Sequence, residues 1–201
     1  MYEGTVQSLI YTDVKSDNVV VEYRLQPNGE VDISRVNLAD PESAAKVRNG
    51  EHITGIQVGN VMWRSPEAQA GIGITKASDV FSFGIVCIHA VLRLHIFGFD
   101  REKLVEGVEP EVEVLERMIS YFGPVPLGLL EHIDNDQWCL ALMTLNRSFS
   151  KDKPRRPFAL WVEEDFPNLD SNLKRFVGRM MNLDPAKRAT VDELLEDPWW
   201  D

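Results

Sequence analysis

The sequence predicts a mainly α-helical protein with one small β-hairpin near its start. The hairpin is indicated by a β-branched run, "VVVEY", a "PNG" turn and an alternating stretch, "VDISRV". The helical part is indicated by the long apolar stretch "SDVFSFGIVCIHAVLR". It is also indicated by a capping box at "TVDE" near the end, where a threonine and a glutamate satisfy each other's free backbone donors.

The β-hairpin is predicted over Val19 to Val36. Asn28 and Gly29 would supply the positive φ angles that its tight turn needs. Residues 40–67 show no sustained period and are rich in Gly, Ser, Asn and Pro, so they are predicted to form a long loop. A loop of this length inside a compact domain is usually functional or disordered.

Helices are predicted through the rest of the chain. The central one is apolar on nearly every side, as a core helix would be, with Ser78 or Asp79 as its N-cap. The others are an amphipathic helix at "EPEVEVLERMISYF", one short helix within "GLLEHIDNDQWCLALM", a helix at "LDSNLKRFVGRMMNL" and a final helix after Thr190. We find no internal repeat.

Composition limits the possible partners and compartments. The 201 residues suffice for one substantial domain, and the net charge of -11 disfavours partners such as nucleic acid or an anionic membrane. Cys87 and Cys139 fit no metal-binding spacing, and we interpret them as reduced thiols. We expect an intracellular protein, in the cytoplasm or nucleus, without a targeting leader or membrane span.

Six short motifs follow one another in a meaningful order. They are "TDVKSDN", a hairpin, "LAD", "WRSPE", "SDVFSFG" and "LDPAKRAT". This order resembles the C-terminal lobe of eukaryotic-type protein kinases, nearest to the branch of SR-protein, CDC-like and cyclin-dependent kinases. The resemblance implies that residues 1–201 form a protein-kinase-like C-lobe that lacks the N-lobe. It also implies ATP-dependent phosphoryl transfer to Ser or Thr of proteins.

The resemblance assigns roles to four residues. Asp13 would orient the substrate hydroxyl, and Lys15 would neutralise the transferring phosphate of ATP. Asn18 and Asp40 would hold Mg²⁺, which prefers such oxygen ligands. The alternative is that Asp13 and Asn18 only make turn hydrogen bonds.

Other matches are architectural. Glu67 and Arg188 would form an ion pair between distant segments. Asp79 would accept hydrogen bonds from the catalytic-loop backbone, although a simple helix cap is an open alternative. The side-chain amide of Asn60 would bridge Asp13 and Lys15. Trp63 and Arg64 would shape a substrate-facing loop, with simple packing as the alternative for Trp63.

The chain also departs from the family pattern. Tyr11 and Thr12 replace the usual His and Arg before Asp13, so regulation through a phosphate bound by that Arg is not expected. Pro41 and Glu42 replace the usual Phe and Gly after Asp40, which puts the usual conformational flip of this segment in doubt.

The sequence contains no Gly-rich phosphate loop, so we expect weak or absent ATP and Mg²⁺ binding by the isolated chain. Only the stub "GTVQSLI" remains where the family has a long helix. One side of the helix around Val80 to Val91 should therefore be an exposed apolar patch. Three hypotheses stay open: a fragment of an active kinase, a pseudokinase-type scaffold that binds proteins without catalysis, and a part that joins a separate N-lobe chain. Substrate, regulation, oligomeric state and the status of the chain as truncated or genuinely short are left open.

Overall fold

The computed structural model describes residues 7–104 and 106–200. Within this part, the N-terminal quarter is rich in β-structure and the remainder is helical. The strands are β1 (Gln7–Ile10), β2 (Val19–Leu25), β3 (Val31–Leu38) and β4 (Ala45–Arg48). The helices are α1 (Pro66–Ala70), α2 (Lys76–Leu92), α3 (Pro110–Phe122), α4 (Leu127–Ile133), α5 (Asp136–Arg147), α6 (Ser171–Met180) and α7 (Val191–Leu195).

The strands form two antiparallel pairs. β2 pairs with β3 from Val19–Leu38 to Leu25–Val31, so the predicted hairpin forms and extends to Leu38. Its turn is closed by Gln26 and Glu30, and Gly29 alone of the "PNG" residues has a positive φ, +87°. β1 pairs with β4 from Gln7–Arg48 to Ile10–Ala45, which adds a second sheet.

The predicted fold, mainly α with one small hairpin in a C-lobe that lacks the N-lobe, is wrong. The N-terminal region contains a β-sheet: residues 45–48, which were predicted to lie in a loop, form a strand that pairs with residues 7–10. The pairing buries Ile10 against Ala68 and Ile74, while Leu9 stays half-exposed on the opposite face. The stub at residues 4–10 is therefore a strand over residues 7–10, and the rest of it lies outside the described residues.

Helix α2 runs through the main hydrophobic core. Phe81, Ile85 and Ile88 are almost fully buried, and α6 packs along the helix. The N-cap is Thr75, which forms a capping box with Ser78, so the helix begins before the predicted Ser78 or Asp79. None of the helices in the described ranges has the length and apolar character needed to span a membrane.

The C-terminal helices follow the sequence pattern with one exception. The stretch predicted to hold one short helix contains two, α4 and α5, because Asp134 takes a left-handed conformation at φ +43° and ends α4. Asn135 then caps α5 by accepting a hydrogen bond from the Trp138 N–H. The predicted capping box between Thr190 and Glu193 begins α7.

Candidate catalytic site

The loop of residues 11–18 connects β1 to β2, and its backbone is hydrogen-bonded to Asp79 in the first turn of α2. The Asp79 carboxylate accepts hydrogen bonds from the backbone N–H of Tyr11 (2.7 Å) and of Thr12 (2.9 Å). Burial raises the pKa of Asp79 to about 6, although these two hydrogen bonds oppose the rise. Thr75, and not Asp79, is the N-cap of α2. The Asp79 carboxylate therefore acts as a hydrogen-bond acceptor for the loop backbone.

Asp13 is the centre of a compact polar cluster. Its carboxylate accepts hydrogen bonds from Lys15 Nζ at 2.6 Å and from Asn18 Nδ2 at 3.2 Å. Asn18 Nδ2 also donates to the backbone carbonyl of Asp13 at 2.9 Å, and the N–H of Asn60 donates to the carboxylate at 3.2 Å. The hydrogen bond with Asp13 raises the pKa of Lys15, with the nearby carboxylates opposing the effect of desolvation. The cluster therefore holds the Asp13 carboxylate with three hydrogen-bond donors, Lys15 Nζ, Asn18 Nδ2 and the Asn60 N–H.

Asp40 lies beside this cluster, directly after β3. The N–H of Ala39 donates to the carbonyl of Asn18 at 2.7 Å, which joins the Asp40 segment to the loop. Burial raises the pKa of the Tyr11 hydroxyl, and the charges of Asp40 and Asp13 raise it further. Asp40 itself is exposed and left-handed, with φ +61° and ψ +60°.

Asn18 and Asp40 offer the amide and carboxylate oxygens that Mg²⁺ prefers as ligands. Asn18 uses its Nδ2 to bind Asp13, so its Oδ1 faces no donor among the described residues and can act as a ligand. The second ligand would be the Asp40 carboxylate, which makes no hydrogen bond to any residue that the structure describes. The described ranges hold no cluster of three or more His, Cys, Asp or Glu side chains suited to a metal. Such a site would therefore need phosphate oxygens and water as its remaining ligands.

Asn60 differs from its expected geometry. Its backbone N–H, not its side chain, reaches Asp13, and its Oδ1 accepts a hydrogen bond from the Met62 N–H at 3.0 Å. The expected side-chain bridge to Lys15 is absent from the contacts of the described residues. The Asn60 side chain thus stabilises a turn, and its backbone N–H is the group that contacts Asp13.

Trp63 is buried, with 4% of its surface exposed. Its ring makes edge contacts with the rings of His89 and His95, at centroid distances of 5.7 and 5.9 Å. Packing therefore accounts for this residue.

The partners of Arg64 and the close approach at Gly59 were not predicted from the sequence. Arg64 donates to the carbonyls of Val58 and Gly59 and pairs with Glu111 of α3 at 3.3 Å. Desolvation lowers the pKa of Arg64, and Glu111 opposes this effect. A Cβ on Gly59 would lie 2.2 Å from the carbonyl oxygen of Thr12, so these loops touch backbone to backbone. In the sequence, this close approach was indicated only by a glycine, Gly59, in a stretch without periodicity.

Glu67 and Arg188 are brought together by the fold. Arg188 Nη1 and Nη2 donate to the two carboxylate oxygens of Glu67 at 2.5 and 2.8 Å, and Ser78 Oγ donates at 2.7 Å. Burial would raise the pKa of Glu67, but the charge and hydrogen bonds of Arg188 and the Ser78 hydroxyl hold it below its usual range. The pair fastens the segment after the site to the C-terminal part of the chain.

Comparisons with known proteins agree with this geometry. The family model for the protein kinase domain matches residues 5–200. The chain is 25% identical over 212 aligned residues to dual specificity protein kinase CLK4 of Mus musculus, covering 96% of this chain and 40% of that protein. It is 23% identical over 192 residues to serine/threonine-protein kinase ppk23 of Schizosaccharomyces pombe, covering 95% of this chain and 42% of that protein. The chain thus spans about two-fifths of the length of these curated relatives.

The match also corrects the expected lobe composition. A family model for the protein kinase domain covers nearly the whole chain, and the N-terminus forms a β-sheet region, so the description as a C-lobe without an N-lobe is wrong. The order of the motifs, the Asp13 cluster and the match over residues 5–200 lead to one conclusion. The chain belongs to the protein kinase domain family.

Proposed function

We propose that this chain serves an ATP-dependent protein kinase that transfers a phosphoryl group to serine or threonine hydroxyls of protein substrates. The observation that carries the proposal is the Asp13 cluster, in which Lys15, Asn18 and the Asn60 N–H all hold one carboxylate. Phosphoryl transfer depends mainly on positioning and charge neutralisation, and such a cluster supplies both.

Asp13 is the proposed proton acceptor. Its hydrogen-bond donors fix the orientation of the carboxylate, so it can accept the hydroxyl proton of an incoming serine or threonine. Its side chain is 12% exposed, so a substrate group can reach it while most bulk water is excluded.

Lys15 and Asn18 are the proposed phosphate- and metal-facing groups. Lys15 has three donors and uses one on Asp13, so the others can bind phosphate oxygens. Asn18 Oδ1 and the Asp40 carboxylate would hold Mg²⁺, which supplies charge neutralisation on ATP when it is bound.

The isolated 201-residue polypeptide is proposed to bind ATP weakly or not at all and to transfer no phosphate at a kinase-like rate. Its sequence has no Gly-rich loop to clamp the phosphates, and positioning carries most of the catalysis in this reaction class. Proteins are the proposed partners, because the net charge of -11 disfavours nucleic acid and anionic membranes. An intracellular location, in the cytoplasm or nucleus, is proposed with it.

The test is transfer of radiolabelled phosphate from ATP to a generic basic protein in the presence of Mg²⁺. The parent chain is compared with Asp13→Asn, Asp40→Asn and, as a matched control, Asp32→Asn on the exposed hairpin. Loss of transfer with Asp13→Asn and Asp40→Asn but not with Asp32→Asn supports the assignment. Equal transfer by all four proteins contradicts it.

A second candidate function is protein binding without catalysis, as in a pseudokinase-type scaffold. It is favoured by an apolar groove of about 420 Å³ between β3, α2 and α7. Phe83 on α2, Leu38 on β3 and Leu195 on α7 line it with 38%, 41% and 68% of their surfaces exposed. The replacement of Phe and Gly by Pro41 and Glu42 also favours this candidate. Absence of transfer in the assay above, together with retained cooperative folding, would support it.

A further inference from the structure

We infer that the hydroxyl groups of Tyr11 and Thr12 hold the backbone of residues 39–43 in one conformation and thereby position Asp40. These two residues are positioning residues, because neither is assigned a contact with substrate. The inference rests on the proposed function only in its last step, where the Asp40 carboxylate takes a divalent cation.

The contacts lie on both sides of Asp40. The Tyr11 hydroxyl donates to the carbonyl of Ala39, and the Thr12 hydroxyl donates to the carbonyl of Ser43 at 2.8 Å. Two consecutive side chains therefore hold the carbonyl before Asp40 and a carbonyl three residues after it. Within the segment, the N–H of Ala44 donates to the carbonyl of Pro41 at 2.9 Å and closes a 3₁₀ turn.

The two hydroxyls project from a backbone that is itself fixed. The N–H groups of both residues donate to the buried carboxylate of Asp79. Thr12 has φ +69°, which is unusual for a β-branched residue and persists only where the surroundings enforce it. Gly59 packs against the Thr12 carbonyl so closely that no Cβ could fit between them.

The backbone of residues 39–43 in turn restricts the conformation of Asp40. Asp40 is left-handed at φ +61°, and the proline that follows has a fixed φ and no N–H, so few alternative conformations are open. The Asp40 carboxylate makes no hydrogen bond or ion pair within residues 7–104 and 106–200. An unpaired carboxylate on a held backbone is suited to bind a cation without prior rearrangement.

Amide hydrogen exchange of the 201-residue chain tests the inference, with a divalent-cation titration alongside. The variants are Tyr11→Phe and Thr12→Val, which remove only a hydroxyl or replace it by a methyl, and Thr12→Ser, which restores the hydroxyl. Tyr23→Phe on the exposed hairpin and Thr144→Val, whose hydroxyl binds the Leu140 carbonyl on the surface of α5, are the matched controls. Mn²⁺ is the cation probe, followed by its paramagnetic resonance signal.

We expect exchange of the two hydrogen-bonded amides of the segment, those of Ala39 and Ala44, to accelerate about tenfold in Tyr11→Phe and in Thr12→Val, with the melting temperature nearly unchanged. Mn²⁺ affinity should fall about tenfold in the same two variants, since groups that orient a ligand affect affinity on this scale. Thr12→Ser and both controls should match the parent chain.

Unchanged exchange at the Ala39 and Ala44 amides in both variants overturns the inference. Faster exchange with unchanged Mn²⁺ affinity overturns its positioning step. If the parent chain and Asp40→Asn bind Mn²⁺ equally poorly, the proposed function fails. The exchange rates of the parent chain and its variants then still show whether the hydroxyls of Tyr11 and Thr12 hold the segment. If Thr12→Val does not fold, Tyr11→Phe alone decides, because its ring and packing are retained.

Discussion

Arg188 closes a bidentate ion pair on Glu67 although the two residues are 121 positions apart in the chain. Both side chains have 0% of their surface exposed, and the remaining Arg188 donors bind the carbonyls of Asn182, Ala77 and Leu183. The pair is therefore fully satisfied, and removal of one partner would leave a charge buried without compensation.

Arg188→Ala should lower the free energy of unfolding by about 3–5 kcal/mol, because it leaves Glu67 ionised and unpaired in the core. The measurement is urea unfolding followed by circular dichroism. Lys103→Ala is the control, since the Lys103–Asp100 pair is 82% and 47% exposed and should contribute about 1 kcal/mol or less. Equal effects of the two substitutions would contradict the prediction.

The stability of the chain should depend on the titration of Asp79. Its folded pKa of about 6 lies above the ordinary value of 3.8, so the folded state binds a proton more readily than the unfolded state. This group's stabilising contribution is fully present below pH 3.8 and is lost as the pH rises through 6. The change amounts to about 3 kcal/mol at most.

Asp79→Asn isolates this contribution, because the amide does not titrate. The difference between the unfolding free energies of parent and variant, measured from pH 4 to pH 7, should change in favour of the variant as the pH rises. Parallel pH profiles would show that Asp79 titrates normally. Asp192→Asn, in the first turn of α7, is the matched control for a carboxylate near a helix start.

Gly59→Ala should destabilise the chain by about 2 kcal/mol or more, since the new Cβ would meet the Thr12 carbonyl at φ +74°. Gly50→Ala is the control: its φ is +85° and no atom lies within 4 Å of the added Cβ, so it should cost only about 1 kcal/mol. Thermal melts compare the two. The close approach would be disproved by equal melting temperatures.

The apolar groove should bind a hydrophobic dye. Leu195→Ser removes a side chain that lines the groove and is 68% exposed, so dye fluorescence should fall while stability changes by about 0.5 kcal/mol or less. Leu127→Ser is the control, because Leu127 is equally exposed on α4 and does not line the groove. A similar loss of fluorescence in both variants would mean that the groove has no special affinity.

The sequence predicted features that depend on local chemistry. The hairpin follows from alternation and a glycine turn, and the box at Thr190 and Glu193 follows from cap preferences. The motif order also indicated that Glu67 and Arg188 would meet, although nothing local links them.

Features that depend on distant pairing were missed. β4 is four residues long and depends on pairing with β1, a strand 35 or more residues earlier in the chain, so no local period marked it. The contacts of Tyr11 and Thr12 are made to backbone carbonyls, and any residue could supply such a carbonyl. The geometry of Asn60 was missed for the same reason: its backbone N–H, and not its side-chain amide, donates to Asp13.

Asn60→Ala should therefore leave the site largely intact. The backbone N–H that donates to Asp13 at 3.2 Å is retained, and only the hydrogen bond from the Met62 N–H to Oδ1 is lost. We expect a loss of stability of about 1 kcal/mol and a change of less than about threefold in phosphate transfer or Mn²⁺ affinity. Asp13→Asn should reduce transfer far more, because it removes the proposed proton acceptor. Asn60→Thr, which restores a side-chain acceptor, should recover the lost stability. A reduction of transfer in Asn60→Ala as large as that in Asp13→Asn would show that the side chain, and not the peptide, supports the carboxylate.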